Sequence, residues 1–372
     1  MELVEELFDF TNIYEDRISA YRCNGLSDSD PSKVSMSRKS VGSSGTKINL
    51  VSLFSYAYSD SVSIPLKRKK VSGDISSSRS KMFLLRGKLP SGEKIGFFVK
   101  EMPDESEELY YEVQASKMLG AINVNGFPCN ILHGPAQKSN IIEKYVIMEE
   151  LDGDLWSLAK LQLHPRIVGR IASALARRMM CLWSNRLVYT DIKPENVAYK
   201  CKDDKFYISL IDLGDIFKLP ESDSVDNNWV ATYPFYEKEN VSFYASIKPI
   251  TEKNAEFHML WGICMFAITM LRDTISWSYD NNQDVVKLLR HDRTISNAYC
   301  LEKRKDLKKE IKKLSWYKAL VPTDKLVWDM LLELLVSEEA STKITLAGLA
   351  NLENANQKKR KRSDGAKTTL KF

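Results

Sequence analysis

The chain has 372 residues, 44% of them hydrophobic, and a formal net charge of +5. That length suits two ordinary domains, or one two-part unit with extensions, and no run approaches the about 20 apolar residues a helix needs to span a bilayer, so no membrane span is expected. The charge is concentrated at one end: from Gln357 on, Lys358, Lys359, Arg360, Lys361, Arg362, Lys367 and Lys371 stand against Asp364, a net of +6 that leaves the rest at about −1. A neutral body argues against a nucleic-acid-binding domain, so no direct nucleic-acid contact is expected beyond this tail. The start, Met1-Glu2-Leu3-Val4-Glu5-Glu6, lacks the basic and apolar regions of a secretory leader. The six cysteines contain no CxxC pair and the four histidines are dispersed. Both facts point to a reducing compartment and away from a zinc site.

In chain order, residues 1–22 show a rough helical spacing of apolar residues. The Ser/Asp/Gly-rich stretch from Asn24 to Thr46 reads as a flexible loop. Ile48 to Tyr58 is apolar and β-prone, a strand that could be added to a first β-rich part, and Lys67-Arg68-Lys69-Lys70 reads as a solvated edge. Lys81 to Gly87 and Ile95 to Lys100 are β-rich, with turn residues Leu89-Pro90-Ser91-Gly92-Glu93 between them. Asp104 to Leu119 is acidic and helix-prone. Tyr145 to Met148 returns to strand and runs into Glu149-Glu150-Leu151-Asp152-Gly153-Asp154.

After that the pattern turns helical. Ile167 to Trp183 carries Ile171, Leu175, Met179 and Leu182 at helical spacing, and Phe257 to Leu271 is apolar nearly all round, the mark of a buried helix. Leu326 to Leu335 and Lys343 to Leu352 read as closing helices. Between them lies the chemically densest stretch, Leu187-Val188-Tyr189-Thr190-Asp191-Ile192-Lys193-Pro194-Glu195-Asn196-Val197, followed by Leu210-Ile211-Asp212-Leu213-Gly214. An acid, a cation and an amide within six residues, with a second acid after a hydrophobic strand, is the set of groups phosphoryl transfer needs.

These two motifs resemble those of the eukaryotic-type protein kinase family, and the resemblance extends from about Val71 to Leu352. It implies an α+β, two-lobed kinase-like fold, with a small β-rich N-lobe and a large helical C-lobe. The implied division is 1–65 an extension, 66–151 the N-lobe, 152–352 the C-lobe and 353–372 a basic tail. It implies ATP and Mg²⁺ as cofactors and Ser/Thr hydroxyls of protein substrates as acceptors. Asp191 would be the base, Lys193 the phosphoryl-facing cation, and Asn196 and Asp212 the metal ligands. Lys100 would hold the phosphates with Glu112 as its helix partner, Glu107 and Glu108 being alternatives. Gly73 would belong to the glycine loop, Met148 would line the adenine site, Glu149 to Leu151 would form the hinge, and Asp154 would meet the ribose. Lys343, in Ser341-Thr342-Lys343-Ile344-Thr345, would pair with Glu237 or Glu239, and Thr232 would contact Asp191.

The departures are informative. Tyr189-Thr190 replace the family's histidine and arginine, so no cation stands beside the base to receive a loop phosphate, and control by loop phosphorylation is not expected. Val71 to Ser78 contains one glycine, Gly73, where several would let backbone approach phosphates. Phe98 stands where a small residue is usual and Ala198 where a larger one is, an exchange that could conserve volume. Phe257 takes the place of an acid, with Glu256 and His258 beside it. Such divergence fits a fast-evolving source, for example a viral kinase. The competing expectation is a catalytically weak or inactive kinase-fold scaffold. Lys358-Lys359-Arg360-Lys361-Arg362 could serve as a nuclear address, so cytoplasm or nucleus is expected. Nothing in the sequence speaks to oligomeric state.

Overall fold

The structure, a computed structural model, describes residues 13–14, 34–41, 49–70, 81–102, 115, 131–133, 144–159, 163–202, 205–219, 252–271, 297–337 and 342–350. Gly73, Glu107, Glu108, Glu112, Thr232, Glu237, Glu239 and the basic tail lie outside these residues. The chain divides into two compact units, 16–152 and 1–15 with 153–372. The first is β-rich and the second carries the long helices, as the α+β expectation requires.

The sheet unit is built from β2 (Val34–Val41), β3 (Asn49–Ser59), β4 (Val62–Lys70), β5 (Lys81–Lys88), β6 (Lys94–Met102), β7 (Ile131–His133) and β8 (Lys144–Glu149). Among the described residues they form one antiparallel sheet in the order β2-β3-β4-β5-β6-β8-β7. Alternation assigns its two faces. Phe54, Tyr56, Ile64, Leu66, Phe83, Leu85, Phe97, Val99 and Ile147 point to one side and form a buried cluster. Within it, the Phe54 and Phe83 rings lie 5.8 Å apart and those of Tyr56 and Phe97 5.6 Å apart. Burying each such side chain contributes roughly 1.5–3 kcal/mol.

One sequence expectation changes here. Val34–Val41 is a strand rather than part of a flexible loop, paired with β3 along its whole length. Its polar composition hides this, because pairing with β3 satisfies its backbone whatever its side chains are. Pro65 and Leu66 both lie within β4 and pair with β3. The turn after β5 is as expected: Gly92 has a φ of 87°, which its missing Cβ permits, and the Leu89 N–H donates to the Glu93 carbonyl at 2.8 Å.

In the helical unit, β1 (Ile13–Tyr14) pairs with β12 (Lys205–Leu210), so these two residues of the expected N-terminal helix are strand. β12 also pairs with β11 (Val197–Lys202), and β11 with β9 (Gly153–Asp154). Among the described residues the helices are α1 (Leu155–Ala159), α2 (Pro165–Trp183), α3 (Glu252–Met270), α4 (Asn297–Lys313), α5 (Ser315–Ala319) and α6 (Pro322–Val336), with a helical turn at 346–350. α2 begins where the sequence provides both signals: Pro165 in the first turn, and His164, whose Nδ1 accepts the Arg166 N–H at 3.1 Å. Ile167, Ile171, Leu175, Met179 and Leu182 are buried along it. α3 is buried on every side from Phe257 to Leu271, as its composition requires.

α2 and α6 come close at Gly169, where a Cβ would sit 2.9 Å from the Trp328 Nε1. That indole N–H donates to the Pro165 carbonyl at 2.9 Å. Arg170 donates to Asp324 through Nε at 3.1 Å and through Nη2 at 3.3 Å. α4 was not anticipated, because its charged residues obscure buried ones such as Leu307 and Ile311. No described helix is long and apolar enough to cross a membrane.

Candidate phosphoryl-transfer site

The loop after β10 (Leu187–Tyr189) is placed by two ladders. β10 pairs with β13 (Ile216–Lys218), matching Leu187 with Lys218 and Tyr189 with Ile216. β11 pairs with β12, matching Val197 with Leu210. Leaving β10, the chain passes Asp191, makes the 3-10 turn Pro194–Asn196 and enters β11; coming back along β12, it passes Asp212, makes the 3-10 turn Leu213–Asp215 and enters β13. The two motifs, distant in sequence, are thereby laid side by side. The Ile211 N–H closes the pair by donating to the Asn196 carbonyl at 2.9 Å.

Asp191 is 3% exposed and Asn196 4%. A buried carboxylate must be compensated, and two donors do this at one oxygen. Lys193 Nζ lies 2.8 Å from Asp191 Oδ2, and Asn196 Nδ2 donates to the same oxygen at 2.7 Å. Nδ2 is also 3.0 Å from the Asp191 carbonyl. Asp212 is exposed and adopts a left-handed conformation, with φ 57°. Such a backbone in a non-glycine residue is uncommon and tends to occur where surrounding structure enforces it.

Tyr189 joins the two motifs. Its hydroxyl accepts from Asn196 Nδ2 at 3.1 Å and faces the Ile211 and Asp212 carbonyls, each at 3.3 Å, sharing its one proton between them. Burial, and after it the carboxylates of Asp191, Asp212 and Asp215, push this phenol well above its ordinary value, so it stays a donor. In the sequence Tyr189 stands out only as a departure; the apolar run Leu187-Val188-Tyr189, buried along its whole length, was the available signal. Tyr189→Phe is expected to lower the unfolding free energy by about 1–2 kcal/mol. A urea midpoint that drops at unchanged slope is the readout, and an unmoved midpoint would show that these bonds contribute nothing net.

Two further contacts hold the loop. A Cβ at Gly262 would lie 3.1 Å from the Ile192 Cβ, so the glycine of α3 admits this loop residue against the helix. Arg178 of α2, 2% exposed, donates through Nη2 to the Ile208 carbonyl at 2.5 Å, anchoring the strand that leads to Asp212. Phe257, where an acid was looked for, is buried and stacks on Trp261 with centroids 6.3 Å apart. Its neighbour Glu256 accepts the Leu346 N–H at 2.9 Å, which ties the segment containing Lys343 to α3. Lys343 itself is exposed.

No family model matches the chain. Among solved structures it is similar to the kinase PK-1 of Cydia pomonella granulovirus. The identity is 18%, covering 76% of this chain and 92% of that one, with a TM-score of 0.49.

The remaining sequence candidates are distributed as follows. Asp154 immediately precedes α1, and its Oδ1 accepts the Ser157 N–H at 2.7 Å, so one of its oxygens serves as a helix cap. In the sheet unit, Lys100 pairs in register with Met82 and Val146, and Phe98 with Leu84 and Met148. These residues occupy the face opposite the buried cluster. Glu149 ends β8. The next residue, Glu150, is tied back to the sheet: its N–H donates to the Gly96 carbonyl at 3.0 Å and its carboxylate pairs with Arg86. A Cβ at Gly96 would collide with that carboxylate, so Gly96 is what lets Glu150 fold across β6. Leu151 follows directly and is half-buried. Ala198 is buried and pairs with Asp154 across β9 and β11.

Proposed function

We propose that the chain is a Mg²⁺- and ATP-dependent protein kinase that phosphorylates Ser/Thr hydroxyls of protein substrates. The observation that carries this reading is the Asp191 carboxylate. It is buried, and Lys193 and Asn196 both contact its Oδ2 in a loop laid beside Asp212. In this reading Asp191 orients the attacking hydroxyl and takes its proton as the oxygen bonds to the γ-phosphorus and the bond to the β-phosphate breaks. Lys193, already beside that carboxylate, faces the phosphoryl group in transit and offsets its charge. Lys100 is assigned to the phosphates, Met148 with the Glu149–Leu151 backbone to the base, and Asp154, through the oxygen not used as a cap, to the ribose.

The groups assigned to the metal fit a hard cation. Asn196, whose side-chain bonds among the described residues all run through Nδ2, retains an amide oxygen, and Asp212 offers an exposed carboxylate. Mg²⁺ takes oxygen ligands of this kind, one or two from protein and the rest from phosphates and water. When bound it would neutralise charge on the phosphates. Tyr189 orients the Asn196 end of this pair, and the β11–β12 ladder sets its separation from Asp212.

The test is incorporation of labelled phosphate from Mg²⁺-ATP into a generic basic protein, with hydrolysis of the product to identify the phosphoamino acids. Phosphoserine or phosphothreonine, lost on removal of Mg²⁺, is the expected result. Absence of incorporation together with no thermal shift on adding Mg²⁺-ATP overturns the reading, because a ligand bound only by the folded state must stabilise it.

A further inference from the structure

One face of the sheet unit carries a row of paired residues with a cation at its end. Lys69 of β4 is matched with Leu84 of β5, Leu84 with Phe98 of β6, and Phe98 with Met148 of β8. Directly paired residues share a face, and this is the face opposite the buried cluster, as Phe83, Phe97 and Ile147 on the other side confirm. Leu84 and Phe98 are half-buried, Met148 is buried and Lys69 is exposed. The next row, on the side of the β4–β5 connection, pairs Met82 with Lys100 and Lys100 with Val146. An apolar strip is thus flanked by an ammonium at one end and by a second in the adjoining row.

The spacing suits a polyphosphate. Lys69 and Lys100 are two strands apart, roughly 10 Å across the sheet, and one row apart, roughly 7 Å along it. Their four-carbon stems can converge from there on a chain of phosphates. Among the described residues Lys69 has no ion pair, whereas Arg68, which points to the other face, stacks over the Phe83 ring at 3.8 Å and meets Glu101. The adjacent Val71–Ser78 segment has a single glycine, so few positions there allow backbone to close on an anion without obstruction.

We propose that Lys69 is a nucleotide-binding residue: Leu84, Phe98 and Met148 receive the base of a nucleoside triphosphate, and Lys69 and Lys100 bracket its phosphates. This rests on the kinase reading and adds to it a second phosphate-holding ammonium, from β4. Lys67 supplies an internal control. It is exposed and on the same face, but it is matched with Arg86 and hence with the row of Gly96, farther from Lys100.

The experiment is equilibrium binding of ATP, ADP and adenosine to the full chain, comparing wild type with Lys69→Met and Lys67→Met. Methionine keeps the apolar stem and removes the charge. Lys69→Met is expected to weaken ATP about tenfold, to weaken ADP less, and to leave adenosine within about twofold, with a shallower salt dependence. Lys67→Met is expected to bind all three like wild type. Unchanged ATP affinity in Lys69→Met overturns the proposal, as does an equal loss for ATP and adenosine, or a wild type that binds no ATP. Wild type that binds ATP with the predicted Lys69 dependence yet transfers no phosphoryl group refutes the kinase reading and leaves the nucleotide seat standing.

Discussion

Replacing Asp191 by Asn is expected to reduce phosphoryl transfer by about 10²–10⁴-fold while leaving the chain folded and ATP affinity close to wild type. The substitution keeps the shape of the side chain and removes only its ability to take a proton. Its effect on the loop is also calculable in kind. Asp191 Oδ2 receives the Lys193 ammonium at 2.8 Å and the Asn196 amide at 2.7 Å. An amide oxygen can still accept from both, but the charge that draws Lys193 inward is gone, and charge-assisted bonds are about twice as strong as neutral ones. The initial rate at saturating Mg²⁺-ATP is the measurement, with circular dichroism and nucleotide binding as the checks on folding. A variant keeping more than a tenth of wild-type activity would remove Asp191 from the role of base. The result also bears on the scaffold alternative, since a chain whose cellular effect survives Asp191→Asn does not act through transfer.

The largest stability effect is expected at a place remote from the loop. Asp324 lies in the first turn of α6 and is 5% exposed. Its carboxylate receives both Nε and Nη2 of Arg170, and its position near a helix N-terminus adds a favourable interaction with the dipole. Asp324→Ala removes a buried carboxylate that faces the half-buried Arg170 guanidinium of α2, and breaking a buried pair from one side costs about 3–5 kcal/mol. Denaturant titration of the variant is the measurement. Replacing both partners, Arg170→Met with Asp324→Leu, is expected to recover most of the loss, because no charge is then left uncompensated. If the double variant is as unstable as the single one, the defect comes from packing around Trp328 rather than from the stranded charge. The same α2–α6 contact includes Gly169 against that indole, so volume there is tightly limited.

Much of this molecule was legible in the chain. Periodicity and turn chemistry located β3, β5, β6, β8, α2, α3 and α6 within a few residues, because each carries an apolar pattern that only one kind of element can bury. Asp191, Lys193, Asn196 and Asp212 stood out for their chemistry, and the spacing of the first three inside one loop nearly determines that they meet. What the chain could not disclose were facts of pairing. β2 is polar and becomes a strand only because β3 offers a ladder; α4 is charged and is buried along a single narrow line. The nearness of Asp212 to the Asp191 loop depends on the β10–β13 and β11–β12 ladders, and Tyr189 acquires its role from the carbonyls those ladders bring to its hydroxyl. Gly262 and Gly96 are likewise ordinary in sequence, and their purpose appears only with Ile192 and Glu150 standing where a side chain would be. Local composition therefore determined which groups are available for chemistry, since that depends on residue type and short spacing. Tertiary structure decided which groups are joined, since hydrogen bonds between distant segments depend on a register that no local pattern encodes.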